Sequence, residues 1–173
     1  MDDGGIHHQD PFATPPSLRE PIRRFRGRLS AGVTIWTAMG EQGPAGLTVS
    51  SILVAEGQPP QILGLVSDTT DLFEAIELTN RFVVHVVDSE HRRWADGFAG
   101  LYPMPGGIFN NLRWNEGDHG PELDELPNRA TCRLIEILPA GYQRLIRAEV
   151  GRIDVADLDD PLVYFRGRYR NLG

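Results

Sequence analysis

Short β-branched runs follow one another along most of this chain, and turn chemistry separates them more often than a helix does. Strands joined by tight turns pair antiparallel, whereas parallel strands need long crossovers. No other feature constrains the fold as much. Residues 32–38 (GVTIWTA), 48–55, 62–66, 81–87 (RFVVHVV), 130–138, 142–153 and 162–165 read as strands. Residues 40–46, 56–60 and 139–141 turn or break the chain on glycine and proline, and the acidic stretch 154–160 turns it again. Residues 102–111 (YPMPGGIFNN) read as a loop and 114–127 as irregular.

Helical spacing is confined to three segments. Ser17 with Glu20 three residues later forms a capping box, and Leu18, Ile22, Phe25 and Leu29 follow at helical intervals. The five arginines among them (Arg19, Arg23, Arg24, Arg26, Arg28) read as a solvated face. Residues 72–78 give one or two turns with Leu72, Phe73 and Ile76 inward, after an N-cap cluster at 67–71. Residues 89–101 place Trp94, Phe98 and Leu101 on one face. Seven strands with two or three peripheral helices predict a mainly β fold, an antiparallel barrel, and exclude a doubly wound parallel sheet.

A chain of 173 residues favours one domain, here 17–173, after a Gly-, Pro-, His- and Asp-rich tail at 1–16 that reads as flexible. A net charge of -7 argues against nonspecific nucleic-acid binding. The single cysteine, Cys132, allows no intrachain disulfide, and no metal-ligand spacing occurs. No apolar run reaches membrane-spanning length, and the first residues lack the marks of a secretion signal, so a cytoplasmic protein without membrane contact is expected. The glycine-rich nucleotide loops, the GxSxG elbow and HExxH are absent. His85, inside an apolar run, is expected to be a hydrogen-bonded core residue.

Residues 46–54 read GLTVSSILV. Three hydroxyls (Thr48, Ser50, Ser51) on an apolar strand behind a glycine-rich turn suit a flat ligand with a hydrogen-bonding edge and an anionic tail. Other motifs follow in order: Ala31-Gly32-Val33-Thr34-Ile35 ahead of it, then Pro59-Pro60, the hydroxyl turn Ser67 to Thr70, Arg81-Phe82-Val83-Val84-His85-Val86, Phe98-Ala99, Gly120-Pro121-Glu122-Leu123, Cys132, and the ending PLVYFRGRY at 161–169. This order resembles the flavin reductase family with the FMN-binding split-barrel fold.

The resemblance implies a homodimer that binds FMN, with FAD as the alternative, near the subunit interface. It implies NADH or NADPH as electron donor and a separate monooxygenase as recipient of the reduced flavin. It places Thr48, Val49, Ser50 and Ser51 along the flavin edge, reaching its ribityl-phosphate. Ser67, Thr69 and Thr70 fall at the phosphate, and Arg81 and Phe82 near the same end. Tyr142 and Tyr169 are the substrate-facing candidates. Tyr142 would stack on the nicotinamide or adenine, or else fill the barrel mouth. No protein acid or base is demanded by hydride transfer itself.

Two positions depart from the family pattern. Many members carry Gly-Asp-His where this chain has Gly141-Tyr142-Gln143; the literal Gly117-Asp118-His119 lies in a loop and reads as coincidence. The hydroxyl turn carries Asp68 and Asp71 where arginine is frequent, and carboxylates oppose a phosphate unless they point away. Arg144 and Arg147 are noted as positions that would meet a 2′-phosphate, although arginine is common on strands. Two alternatives stay open: a flavin-binding electron carrier or store without NAD(P)H turnover, and a split-barrel module that has lost flavin.

Overall fold

A computed structural model describes residues 21–172. The order is α1 (Pro21–Arg26), β1 (Ala31–Gly32), β2 (Thr34–Gly40), β3 (Gly43–Val49), β4 (Ile52–Ala55), β5 (Gln61–Val66), α2 (Asp71–Thr79) and β6 (Arg81–Val86). A 3-10 turn (Ser89–His91) then leads into α3 (Arg92–Phe98), and a second 3-10 turn (Ile108–Asn110) precedes β7 (Trp114–Gly117) and β8 (Gly120–Leu123). The long pair β9 (Arg129–Ala140) and β10 (Gln143–Asp154) follows, and β11 (Val163–Phe165) and β12 (Arg168–Arg170) close the chain. Among the described residues no helix is long and apolar enough to cross a membrane.

Seven strands form one antiparallel sheet in the order β3-β2-β6-β9-β10-β5-β4. Its two outermost strands, β3 and β4, are neighbours in sequence, joined only by Ser50 and Ser51. Three peptide steps reach roughly 10 Å, so the connection forces the two margins of the sheet together. The sheet therefore rolls into a barrel that stays split between β3 and β4, with no ladder across the gap.

The barrel core holds Trp36 stacked on Phe82, with ring centroids 4.8 Å apart. Helix α2 adds Leu72, Phe73, Ala75 and Ile76 to it. Gly64 on β5 makes room for the Trp36 ring: a Cβ there would stand 2.6 Å from Trp36 Cζ2. A second cluster joins Val33, Ile35, Val87, Ala95, Phe98, Leu123, Leu126 and Leu162, bringing α3 and β8 against the β1–β2 region. His85 is fully buried, as its sequence setting predicts, and bonds the Ile35 carbonyl through Nδ1 (3.1 Å) while Nε2 accepts from the Leu123 amide (3.1 Å).

The antiparallel barrel is as expected, but the elements differ in four places. The expected strand 48–55 is two strands on opposite margins of the sheet, because the chain leaves β3 at Ser50. The expected turn 40–46 shrinks to Glu41 and Gln42: Gly43 takes the corner at φ +118°, and Pro44 pairs with Met39 on an edge strand, where proline is tolerated. Residues 114–127 contain the hairpin β7–β8, which is too short to signal itself locally and is pinned from outside by Thr37 Oγ1 donating to the Pro121 carbonyl (2.6 Å). The expected helix 89–101 is a 3-10 turn followed by only seven α-helical residues. The flexible tail and the capping box at Ser17 lie outside the described residues.

Candidate functional site

The bend between β3 and β4 is built by residues that hold it from behind. Thr34 Oγ1 donates to the Val49 carbonyl (2.5 Å), and the Val49 side chain is buried in the barrel core. Thr48 Oγ1 donates to the Ala95 carbonyl of α3 (2.7 Å). The Ser51 carbonyl accepts from the Leu65 amide of β5 (3.0 Å), tying the bend to the far side of the split. The hydroxyls of Ser50 and Ser51, half-exposed, make no hydrogen bond with any described residue. Two unpartnered hydroxyls on a fixed bend are donors and acceptors offered outward.

Where β5 ends, the hydroxyl turn begins. Ser67 Oγ and Thr69 Oγ1 share a hydrogen bond of 2.9 Å, and Ser67 Oγ also accepts from the Thr69 amide. Thr70 is the N-cap of α2: its hydroxyl accepts from the Phe73 amide (3.3 Å) and donates to the Ser67 carbonyl (2.8 Å). Thr70 is thus spent on the helix, while Ser67 and Thr69 keep lone pairs and a proton to offer. Asp68 does not stand alone: its Oδ2 lies 2.9 Å from Arg144 Nη2 on β10. No hydroxyl of this cluster bonds a carboxylate or an imidazole, so none is set up as an activated nucleophile. Among the described residues no group of three metal-ligating side chains occurs.

Register brings the parts together. Ile52 pairs with Gly64, and Arg144 pairs with Val66, so the bend, the hydroxyl turn and the β9–β10 turn share one end of the sheet. Tyr142 stands on that β9–β10 turn beside Gly141, 90% exposed. Among the described residues its ring is therefore not packed in the barrel mouth and is open to stacking.

Two expected members lie elsewhere. Arg81 and Phe82 follow the C-terminal end of α2, and nine helical residues, about 13 Å, separate them from the hydroxyl turn at its start. Within one chain they thus stand at the opposite end of α2 from the hydroxyl turn. Phe82 is fully buried against Trp36, so its ring meets no external ligand, and Arg81 Nη1 donates to the Asp118 carbonyl (3.3 Å).

Tyr169 sits on the other side of α3, edge-on to Tyr164 (5.7 Å) and under the Arg92 guanidinium (5.5 Å). Burial, with the Asp96 carboxylate nearby, pushes its phenol up to about 12. Burial likewise raises the Asp96 carboxyl above the usual range, against the pull of Arg92. Tyr169 thus packs on Arg92 of α3, the helix whose Ala95 carbonyl holds Thr48.

The literal Gly117-Asp118-His119 forms the tip of the β7–β8 hairpin. Two cavities of about 400 and 460 Å³ flank it, one lined by Met39, Thr79 and Arg81, the other by Thr131 and Arg152. Burial and the neighbouring Arg81 hold the His119 ring below its ordinary value. Neither cavity contains a residue of the bend or the hydroxyl turn. Sequence reasoning noted Arg144 as a position for a 2′-phosphate; its pairing with Asp68 is set by strand register, which leaves no local signal.

Comparison with known proteins shows the family of the chain and the likeness of its fold. The family model described as flavin reductase like domain matches residues 26–173. The reductase component of 4-nitrophenol 4-monooxygenase/4-nitrocatechol 2-monooxygenase from Rhodococcus opacus is 30% identical over 155 residues, covering 89% of this chain and 81% of that protein. An FMN reductase (NADH) from Variovorax paradoxus is 27% identical over 168 residues, covering 96% and 93%. Among solved structures, the NADH:FAD oxidoreductase of Streptomyces globisporus superposes with a TM-score of 0.79 at 22% identity, covering 93% of this chain and 97% of that one, a likeness of fold.

Proposed function

The chain belongs to the flavin reductase like family, and from that premise we propose that it is an NADH:flavin oxidoreductase that supplies reduced flavin to a partner monooxygenase. The observation that carries this reading at the site is the fixed bend whose Ser50 and Ser51 hydroxyls have no partner among the described residues. The residues present fit a flavin nucleotide: outward hydroxyls for a planar polar edge, a hydroxyl turn for a phosphate, and an arginine offsetting the Asp68 carboxylate. Ser50 and Ser51 bind the ring edge. Thr48 and Val49 keep the bend in place, and Val49 offers only backbone. Ser67 and Thr69 receive the phosphate, with Thr70 holding their turn to α2.

Bound flavin supplies the acceptance of a hydride, so the protein's share is positioning and exclusion of water. Tyr142 offers a free ring face against which a nicotinamide or adenine stacks. Tyr169 supports the bend from behind α3 rather than by direct contact. Arg81 and Phe82 are left out of the site. FMN is the first choice of flavin and FAD the second, and NADH is preferred to NADPH as donor. A second copy of the chain covers the half-exposed bend, making the working form a homodimer in the cytoplasm, each copy a single domain over 17–173.

An absorbance titration with FMN and with FAD, followed by anaerobic NADH and then NADPH, tests the proposal. The visible flavin band is expected to shift on binding and to bleach on adding NADH. A flavin spectrum that the protein leaves unperturbed would overturn it. A bound flavin that stays yellow with both nucleotides favours the second reading, a flavin carrier or store, for which Gly141-Tyr142-Gln143 in place of Gly-Asp-His is the motivating feature.

A further inference from the structure

The hydroxyl turn presents a charge problem that the fold itself answers. Its sequence, Ser67-Asp68-Thr69-Thr70-Asp71, places two carboxylates where the functional reading needs an anion. Neither neighbour in sequence is basic. The cation comes from a different strand: the antiparallel register sets Arg144 of β10 opposite Val66, the last residue of β5, and its Nη2 meets Asp68 Oδ2 at 2.9 Å. That contact is an ion pair and not an aligned hydrogen bond, so it leaves the five N–H donors of the guanidinium uncommitted. This side chain makes no hydrogen bond among the described residues, and it is only partly buried, at the same end as Tyr142, Ser50 and Ser51. Arg147, three residues on, is paired instead with Glu136 on β9 (2.8 Å). Arg144 is thus paired in charge with Asp68 while its planar fork stays open to bond, the geometry that recognises phosphoryl oxygens.

We propose that Arg144, aimed by Asp68, is the specificity-determining residue of this site, reading the phosphoryl group of the nucleotide that docks against the hydroxyl turn. This rests on the functional reading above. A phosphoryl group reaches the turn from one of two sources, the ribityl-phosphate of the flavin or the 2′-phosphate that distinguishes NADPH from NADH. Either one meets the same fork.

The test compares each phosphorylated ligand with its counterpart lacking that phosphate, in the wild-type chain, R144Q and R144K. For a flavin phosphate, R144Q raises the Kd for FMN by about 10- to 100-fold, the range of a lost charge-assisted hydrogen bond, while riboflavin stays within about twofold. R144K then recovers part of the loss, because it restores the charge without the fork. For a 2′-phosphate, R144Q raises KM for NADPH by that factor and leaves KM for NADH and the Kd for FMN in place. Both patterns support the assignment and tell the sources apart. Ratios of FMN to riboflavin and of NADPH to NADH that match wild type in R144Q would overturn it while leaving the flavin reductase reading intact. A wild-type protein that binds neither flavin would instead sink that reading, and the role of Arg144 with it.

Discussion

The buried imidazole of His85 shows how far one residue can commit a strand pair. Its Nδ1 faces the Ile35 carbonyl and so carries the proton, and its Nε2 faces an N–H and so must stay bare. Protonating Nε2 would set two donors against each other. Burial, with a smaller push from Arg129, lowers this ring to about 4 from an ordinary 6.5. Between those values the unfolded chain binds a proton that the fold refuses. The stability His85 contributes is therefore complete above about pH 6.5 and is lost as pH falls toward 4, by roughly 3 kcal/mol in all. Urea melts at pH 7 and pH 4.5 should show that loss in wild type, and H85Q, less stable at neutral pH, should lack that part of the slope. Gly64 makes a complementary case. G64A drives a methyl into Trp36 and should cost about 1–3 kcal/mol, whereas G32A, where a Cβ meets nothing within 4 Å, should stay within about 0.5 kcal/mol of wild type in the same melts.

At the level of elements, the hydroxyl turn is held by the helix it starts. Removing the Thr70 cap with T70A should lower stability by about 1 kcal/mol, and T70S should spare most of it, both read from urea midpoints. The element was legible in the chain, since a cluster of Ser, Asp and Thr ahead of Leu72 and Phe73 is a local signal, and α2 runs Asp71–Thr79 against an expected 72–78. Strands β5, β6, β9 and β10 were legible for the same reason: each is an uninterrupted or alternating run with a turn residue at its end. The break at Ser50 and Ser51 was not. The run 48–55, β-branched and apolar on both sides of two serines, reads as one strand locally, and the change of margin is imposed by the closure of the sheet. The β7–β8 hairpin was hidden likewise, its four-residue strands depending on Thr37 and His85 from elsewhere. In the site, the hydroxyl residue types were visible beforehand. Which of them the fold consumes, Thr48 on Ala95 and Thr70 on Phe73, is decided by partners remote in sequence or by backbone geometry.

For the whole molecule, apolar surface and an unfinished barrel point the same way. The edge strand β4 exposes Leu53 (71%) and Val54 (68%), and Ile135 and Leu138 of β9 are exposed as well. α1 buries none of its residues, leaving Ile22 and Phe25 open. Such surface on a folded chain marks an interaction face. Sedimentation equilibrium should return twice the 19.2 kDa of one chain, and L53E should shift the population toward one copy and weaken FMN binding; a wild-type monomer would refute the dimer. The seam where β3 and β4 fail to pair has a mechanical corollary. An occupant seated on Ser50 and Ser51 touches both lips of the opening at once and works like a rivet. Deuterium uptake by amides of residues 43–55 should slow when FMN is added, while the Trp36 neighbourhood, already locked, keeps its pace.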